Sequence, residues 1–389
     1  MGRNVAMVVF SHYPKDPRVR REAEALADAG ISVDVFCLKD RGALPRELCN
    51  GVQVYRLPLQ RSRSGKLNYV LEYGAFIAAS AGAVALFHLK RHYRLVHVHN
   101  MPDILVLSAL IPKLAGAKVI LDLHDPVPEV YMTKYALAED HPVVRGMCLL
   151  ERLSVKFADR VLTPNFAFQE RFIARGCPRE KIDIVMNSAQ EEVLCCGTEP
   201  PAREGFVVMF HGVINRRSGI HVALEALRLV RDRIPGLCFE VYGEGEARPG
   251  AERQARELGL EGMVRFHGYR PQEELGPRIR EMSVGLVPNI SSPFTEINLP
   301  TRILEYLSLG KPVIAPRTRG ITDYFDDRTL LFFEAGDPGA LAETLFDAYA
   351  HPEKREEVAR AGTSRYQPYR WARQKEKLVA IVERTIGAC

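Results

Sequence analysis

The residues best suited to chemistry lie in the segment LPTRILEYLSLGKPVIAP, residues 299–316. Pro300 suits the first position of a helix, and Gly310 ends that helix before the next strand. The free backbone N–H groups of a helix N-terminus attract an anion. Arg302 opposes the helix dipole there, and a bound phosphate would resolve this conflict. The alternative is a surface pair between Arg302 and Glu305, three residues apart.

A second basic site precedes another predicted helix. The strand FVVMFHG leads into VINRRSG, where Ser218 is the predicted N-cap and Arg216 and Arg217 stand directly before it. Two such sites after strands of one domain would hold a diphosphate. The alternative for each site is an ordinary surface arginine.

Alternating strands and helices place these residues. Buried strands are predicted at VAMVVF, ISVDVFCL, VQVYRL, LVHVHN and KVILDLHD, with short strands at 160–163 and 182–186. After a break the pattern restarts with FVVMFHG, LCFEVYGEG, VRFHGY, SVGLVP, KPVIAP and LLFFEAG. This alternation predicts two α/β domains with parallel sheets, whose ligands bind at the carboxyl ends of the strands.

The expected domains follow from the break in this pattern. Residues 1–190 are expected to form an N-terminal Rossmann-like domain, and residues 191–205 a linker. Residues 206–369 are expected to form a C-terminal Rossmann-like domain. Residues 370–389 form a final helix, expected to cross back to the N-terminal domain. The two domains are expected to face one another across a cleft.

Composition narrows the class of protein. Of 389 residues, 47% are hydrophobic and 26% are charged, which is typical of a globular protein. The eight cysteines form neither a CxxC pair nor a zinc pattern, and the chain starts directly in a strand, so we expect a cytoplasmic protein. Residues 1–100 hold 15 Lys and Arg against 8 Asp and Glu. This imbalance favours an anionic partner or, alternatively, a solvated basic surface.

One segment, residues 67–89, is long enough to cross a bilayer. It carries a single charged residue, Glu72, and basic residues flank it: Arg61, Arg63, Lys66, Lys90, Arg91 and Arg94. Because it lies between two strands of one predicted sheet, spanning would separate those strands, and we reject it. Two hypotheses stay open: a buried crossover helix, or a helix whose exposed face rests on anionic lipid at the inner face of the membrane.

The ordered motifs resemble retaining glycosyltransferase family 4, which has the GT-B fold. The resemblance is carried by YPKDPRVRREAEALADAGISVDVFCL, VHVHNMPD and LDLHDP in the first domain, and by HGVINRRSGIHVALEAL, VYGEGE, VRFHGY and LPTRILEYLSLGKPVIAP in the second. It extends over nearly the whole chain. It is specific for fold and reaction class, not for substrate.

The resemblance implies that residues 1–190 are the acceptor-side domain and that residues 206–369 are the nucleotide-sugar-binding domain. It also implies roles for residues on the donor side. Glu305 would grip the ribose hydroxyls of the nucleotide, and Arg216 or Arg217 would hold the diphosphate. The remaining donor residues implied are Gly212, Tyr269 and Arg270 at the base, and Asn298, Leu299, Thr301 and Arg302 at the sugar and phosphate. The first glutamate of the family motif would fall at Ile297, so Glu296, one residue earlier, is the catalytic candidate.

On the acceptor side, the resemblance assigns His124 to the transferred sugar near its reacting carbon. The family's Gly-Gly loop is replaced by HYPKDPR, whose Lys15, Asp16 and Arg18 are candidates for part of its work. Asn100 and Asp103 follow a strand end and are acceptor candidates. We interpret His97 and His99 as structural.

The implied reaction moves a sugar from a nucleotide-diphosphate sugar to a hydroxyl with retained configuration. The acceptor class suggested is a lipid-linked or cell-envelope saccharide. The chain has no DxD pair, so we predict neither metal nor cofactor, and no nucleic-acid partner. The alternatives are a GT-B sugar-nucleotide epimerase and a non-catalytic sugar-nucleotide-binding subunit. A dinucleotide oxidoreductase is disfavoured because no GxGxxG follows the first strand.

Overall fold

The chain folds into two compact units. The computed structural model describes residues 3–59, 66–196 and 205–387. One unit comprises Met1–Met186 with Gln374–Cys389, and the other Asn187–Arg373. Arg61, Arg63 and residues 197–204 of the expected linker lie outside the described residues.

The first unit is built on an eight-stranded sheet in the order β3-β4-β2-β1-β5-β6-β7-β8. Its strands are β1 Asn4–Val9, β2 Ser32–Leu38, β3 Arg46–Cys49, β4 Val52–Leu57, β5 Leu95–His99, β6 Lys118–Asp122, β7 Arg160–Thr163 and β8 Ile182–Ile184. All pairings are parallel except that of β3 with β4. The seven predicted strands are present. The sequence did not predict β3, because this exposed edge strand, RELC, has no apolar run.

Helices pack on this sheet. They are α1 Pro17–Asp28, α2 Lys66–Arg91, α3 Leu110–Leu114, α4 Val127–Tyr135, α5 Pro142–Phe157 and α6 Phe166–Ala174, with 3₁₀ turns at Asp103–Ala109 and Arg179–Lys181. Asp16 is the N-cap of α1: its Oδ1 accepts from Val19 N at 3.3 Å, and Pro17 follows it.

The long apolar helix α2 joins β4 to β5 within this sheet. By length and composition its Leu71–Arg91 part could cross a membrane. Because both flanking strands pair within one sheet, the helix is a crossover and does not span. It is not the fully buried helix of one hypothesis, since only 17% of its most apolar window is buried.

The second unit has a six-stranded parallel sheet in the order β11-β10-β9-β12-β13-β14. Its elements are α7 Glu191–Leu194, β9 Phe206–His211, α8 Ile220–Val230, β10 Leu237–Tyr242, α9 Arg248–Glu257, β11 Val264–Gly268, α10 Gln272–Glu281, β12 Val284–Leu286, α11 Thr301–Ser308, β13 Val313–Pro316, α12 Arg319–Thr322, β14 Leu331–Phe333, α13 Pro338–Ala350 and α14 Pro352–Tyr366, with 3₁₀ turns at Arg216–Ser218 and Gln367–Tyr369. All six strands match the prediction. Val208 and Phe210 of β9 pack with Leu224 and Leu227 of α8 in its core.

The last helix, α15 Trp371–Gly387, joins the first unit from Gln374 onward. Gln374 Oε1 accepts from Met186 N at 3.0 Å, and Lys375 pairs with Asp28 at 2.7 Å. The final helix therefore completes the first unit.

Candidate active site

The loops after β9 and β12, which carry several of the predicted donor residues, lie where the strand order of the second sheet reverses. The chain passes from β9 to β10 on one side and later returns to place β12 on the other side of β9. The loops after β9 and β12 therefore flank a topological switch point, where open α/β sheets bind ligands. Gly219 lets the loop after β9 pack closely against the loop after β12. Its φ is +71°, and a Cβ at this position would overlap the carbonyl oxygen of Pro288.

Glu305, on α11, is held at both carboxylate oxygens. His211 Nε2 lies 2.6 Å from Oε2, and Gln272 Nε2 donates to Oε1 at 3.1 Å. The carboxylate is 13% exposed, so it keeps an open edge while its orientation is fixed. A carboxylate fixed in this way can accept hydrogen bonds from a pair of hydroxyls.

His211 has a second partner in Tyr306. Tyr306 Oη donates to Met209 O at 3.0 Å and lies 3.0 Å from His211 Nδ1. Contacts at both ring nitrogens fix the orientation of the imidazole, so Nε2 faces the Glu305 carboxylate.

Arg302 is a largely buried cation beside this pair. Its guanidinium lies over the Phe210 ring, 4.2 Å from the centroid, and a Cβ on Gly212 would come within 2.9 Å of Nη2. Burial lowers the pKa of Arg302, and neighbouring Arg217 acts in the same direction. Nη1 is buried and has no hydrogen-bond partner among the described residues. An anion is the missing partner that this chemistry favours.

The arginine pair after β9 lies on a 3₁₀ turn, Arg216–Ser218. Arg217 lies over Phe294, with its guanidinium carbon 4.6 Å from the ring centroid, and Arg216 is exposed. The prediction that Ser218 is an N-cap is wrong. Asn215 caps the turn by accepting from Ser218 N at 3.1 Å, and α8 begins only at Ile220.

The N-terminus of α11 has no side-chain cap. Pro300 is the N-cap residue, one position earlier than predicted. Asn298 N donates to Phe294 O at 3.0 Å, so it is engaged. Among the described residues, no turn, loop or cap carbonyl accepts a hydrogen bond from the N–H groups of Leu299 and Thr301. They and the helix dipole add positive potential beside Arg302.

Glu296 has partners different from those of Glu305. Its Oε1 accepts from Arg319 N at 3.1 Å, and its carbonyl accepts from Gly320 N at 2.8 Å. It thus binds the first turn of α12. Ile297, the position that the family motif assigns to glutamate, is 8% exposed and packs inward.

The loop after β11 carries the predicted base contacts. Tyr269 is 72% exposed, and Arg270 lies 3.9 Å from Glu274 on the surface. Gln272, at the start of α10, reaches Glu305 from this loop. Neither Gln272 nor His211 was predicted from sequence, although His211 ends a strand at the predicted ligand edge.

In the first unit, His124 is fixed by Asn100. Asn100 Oδ1 accepts from His124 N at 3.1 Å, and the Asn100 carbonyl contacts His124 Nε2. Asn100 Nδ2 donates to Asp103 Oδ1 at 2.9 Å. Burial raises the pKa of Asp103 to about 6, against the opposing effect of the Asn100 hydrogen bond. The three residues form one connected group after β5 and β6.

The three candidates of the first loop do not lie together as one binding group. Lys15 is exposed and pairs with Asp40, and Asp16 caps α1. Arg18 is only 4% exposed and grips both oxygens of Asp122 at 2.7 Å. Its Nη1 donates to Val185 O at 3.0 Å. An acceptor contact for Arg18 is therefore not accessible in this structure.

Beside Arg18 lies a buried cluster of metal-ligand types: Glu22, His97, His99 and Asp122, whose ligand atoms lie within 4.8 Å of one another. The rings of His97 and His99 stack at 4.3 Å, and His99 Nδ1 lies 3.0 Å from Asp122 Oδ2. Arg18 already supplies the cation here. Burial raises the pKa of Glu22 and lowers that of His97, so both favour neutral forms.

Comparison with known proteins gives the family. Residues 16–188 match the glycosyl transferase 4-like domain, and residues 205–351 match the glycosyl transferases group 1. A D-inositol 3-phosphate glycosyltransferase of Corynebacterium urealyticum is 28% identical, covering 93% of this chain and 88% of that protein.

Solved structures agree on the fold. Sucrose-phosphate synthase from Thermosynechococcus elongatus has a TM-score of 0.80 at 20% identity, with 100% of both chains covered. Anabaena HepE in complex with UDP and glucose has a TM-score of 0.75 at 16% identity, with 99% of this chain and 100% of that chain covered. These comparisons give no support to an epimerase. The chain has the GT-B fold and belongs to the group 1 glycosyltransferases, with a glycosyl transferase 4-like N-terminal domain.

Proposed function

We propose that this glycosyltransferase moves a sugar from a nucleoside-diphosphate sugar to a hydroxyl of a saccharide acceptor, with retention and without a metal ion. The observation that carries the proposal is the buried Nη1 atom of Arg302, which has no hydrogen-bond partner in the described residues. It stands beside Glu305 at the ligand edge of the second sheet. A diphosphate supplies the anion, and the ribose supplies hydroxyls for Glu305.

Charge on the departing diphosphate is the physical demand of the reaction. Arg302 on α11 and Arg217 on the turn after β9 meet it, and the N–H groups of Leu299 and Thr301 add donors. Gly212 lets the Arg302 guanidinium approach the backbone closely. Because these groups neutralise the leaving group, a bound metal is not required. Tyr269 and Arg270 are proposed to contact the base.

On the acceptor side, His124 is proposed to contact the transferred sugar. Its Nε2 is engaged by the Asn100 carbonyl, so His124 positions the sugar and is not assigned as a base. Asn100 and Asp103 hold it in place and are proposed to lie near the acceptor. The second oxygen of Glu296 is proposed to contact the donor sugar.

The HepE structure contains UDP and glucose, and the Corynebacterium relative is named for an inositol phosphate acceptor. These names support a nucleoside diphosphate as the leaving group and a hydroxyl acceptor. They do not select the sugar. A lipid-linked or envelope saccharide is the acceptor class that we propose to test first.

A donor screen followed by turnover tests this function. Nucleotide sugars that raise the melting temperature are carried into an assay of nucleoside diphosphate release, with and without acceptor. We expect release that depends on acceptor, survives a chelator, and gives a product with the donor's anomeric configuration by NMR. Binding without release for any acceptor would instead support a non-catalytic binding subunit. Loss of activity with chelator, restored by a divalent ion, would contradict metal independence.

A further inference from the structure

The helix α2 exposes an apolar stripe instead of burying it. Residues 73–87 contain no charged side chain. Phe76, Ser80 and Val84 face the core, while Leu71 and Leu86 are 63% and 61% exposed. At 1.5 Å per residue, the stripe from Leu71 to Leu89 runs about 27 Å.

The helix α5 also exposes large apolar side chains. Its buried side includes two polar residues, Glu151 and Ser154. Its exposed side carries Leu149, Leu150 and Leu153, with exposed fractions of 55%, 44% and 50%. A helix on a water-facing surface normally has the opposite arrangement.

The short helix α3 connects these two faces. It exposes Leu110, Ile111 and Leu114, the last at 77%. The helix α2 packs against α3 and the 3₁₀ turn before it, and α5 packs against that turn. The connections through these helices run in the same direction across the sheet, so right-handed crossovers place them on one face. We call the exposed side chains of α2, α3 and α5 the three-helix surface.

The second unit provides the contrast. Among its described residues, the exposed large apolar side chains are Val213, Leu229 and Tyr269, scattered over separate elements. Single exposed apolar residues are ordinary, whereas a contiguous patch marks an interaction site.

Charge identifies the occupant of the three-helix surface. Lys90, Arg145, Arg152 and Lys156 are exposed on its helices. The acidic residues described on the same helices are Glu72, which is partly buried, and Glu151, which is buried against Arg175. Apolar side chains bordered by unopposed basic residues match an anionic lipid headgroup layer over acyl chains.

We propose that the three-helix surface docks this protein on an anionic bilayer, as a peripheral contact made by three helices together. The 3₁₀ turn that starts at Asp103 leads directly from the acceptor-side residues into α3. A lipid-linked saccharide held in that bilayer would thus come close to His124, which Asn100 and Asp103 hold in place. This last clause rests on the proposed function; the docking does not.

Vesicle sedimentation of the full chain tests the docking. The probes are vesicles of phosphatidylcholine alone and of phosphatidylcholine with phosphatidylglycerol. We expect binding to the anionic vesicles that weakens with salt. The pair Leu149→Gln with Leu153→Gln should lower partitioning about tenfold, from the lost apolar burial. The pair Arg145→Gln with Lys156→Gln should weaken binding to anionic vesicles only.

The matched control is Leu229→Gln, since Leu229 of the second unit is 44% exposed, the same fraction as Leu150. It should bind vesicles like the unchanged protein, and none of these variants should move the melting temperature. No binding to either vesicle, or equal losses in the control, overturns the proposal. A dimer in gel filtration that the α5 pair dissolves, without any vesicle effect, shows that a second copy covers the surface. Failure of sugar transfer with vesicle binding intact would overturn the proposed function alone.

Discussion

Each unit has an arginine at the ligand edge of its sheet with at least one buried nitrogen, but the two arginines have opposite surroundings. Arg18 grips both oxygens of Asp122, lies 3.2 Å from Glu22 and donates to Val185 O. Arg302 lies against Phe210 and Gly212, with a buried nitrogen that has no partner in the described part of the chain.

This difference separates a structural charge from a ligand-binding one. A buried cation costs free energy unless a partner compensates it. Asp122 provides that compensation within the first unit, so Arg18 is complete without ligand. Arg302 has only the nearby charge of Glu305, and its buried Nη1 has no hydrogen-bond partner in the described residues, so an external anion would complete the site. Buried carboxylates differ in the same way. Asp122 is paired with the Arg18 guanidinium, whereas burial raises the pKa of Asp103.

The largest effect is expected from breaking the complete site. Arg18→Met leaves Asp122 buried without its cation and should lower the free energy of unfolding by roughly 3–5 kcal/mol. Chemical denaturation followed by circular dichroism measures it. The double variant Arg18→Met with Asp122→Leu should recover much of the loss, because no charge is then stranded. A single variant as stable as the unchanged protein would show that Arg18 does not compensate Asp122.

The raised pKa of Asp103 predicts a pH dependence of stability. Its ordinary value is 3.8 and its folded value is about 6, so the folded state holds a proton that the unfolded state releases. Stability should therefore fall as pH rises from about 4 to about 6, by up to about 3 kcal/mol from this group. Asp103→Asn, which keeps an oxygen for Asn100, should flatten that part of the curve. Identical pH curves for the two proteins would contradict the assignment.

The incomplete site should respond through binding and not through stability. Arg302→Met should weaken binding of the nucleoside diphosphate by roughly tenfold or more, the scale of a hydrogen bond to a charged group. Its melting temperature should change little, because the arginine has no buried protein partner to strand. Titration calorimetry measures the affinity. Arg328→Met, an exposed arginine of the same unit, is the control and should bind normally.

Much of this arrangement could be predicted from sequence, and the reasons are local. Apolar runs and strand–helix alternation defined both sheets, and Pro300 with Gly310 marked α11 and so placed Arg302 and Glu305. The short edge strand β3 lacks such a signal. Asn215 and Ser218 are both good N-cap residues, and their spacing of three residues does not show which one caps. In the structure Asn215 caps the turn, and the Ser218 hydroxyl donates to the Asn215 carbonyl.

The partners of the site residues were beyond reach for a different reason. Arg18 meets Asp122 across 104 residues, and His211 meets Glu305 across 94. Such pairs are set by the order of strands in the sheet, which no local pattern specifies. Arg18 was thus assigned to an acceptor, although its partner lies inside the protein. His211 was not assigned at all.

The smallest expected effect is at Glu296, and it distinguishes the role of this glutamate from that of Glu305. Glu296→Gln keeps an oxygen for Arg319 N and removes only the charge, whereas Glu296→Ala removes both. If the second oxygen contacts the donor sugar, Glu296→Gln should lower kcat roughly tenfold, about 1.4 kcal/mol, with an unchanged melting temperature. Glu296→Ala should lower stability as well, by about 1 kcal/mol, the scale of a lost helix cap. Full turnover in Glu296→Gln would reduce this residue to an anchor for α12, and would leave Glu305 as the glutamate of the motif that binds the donor.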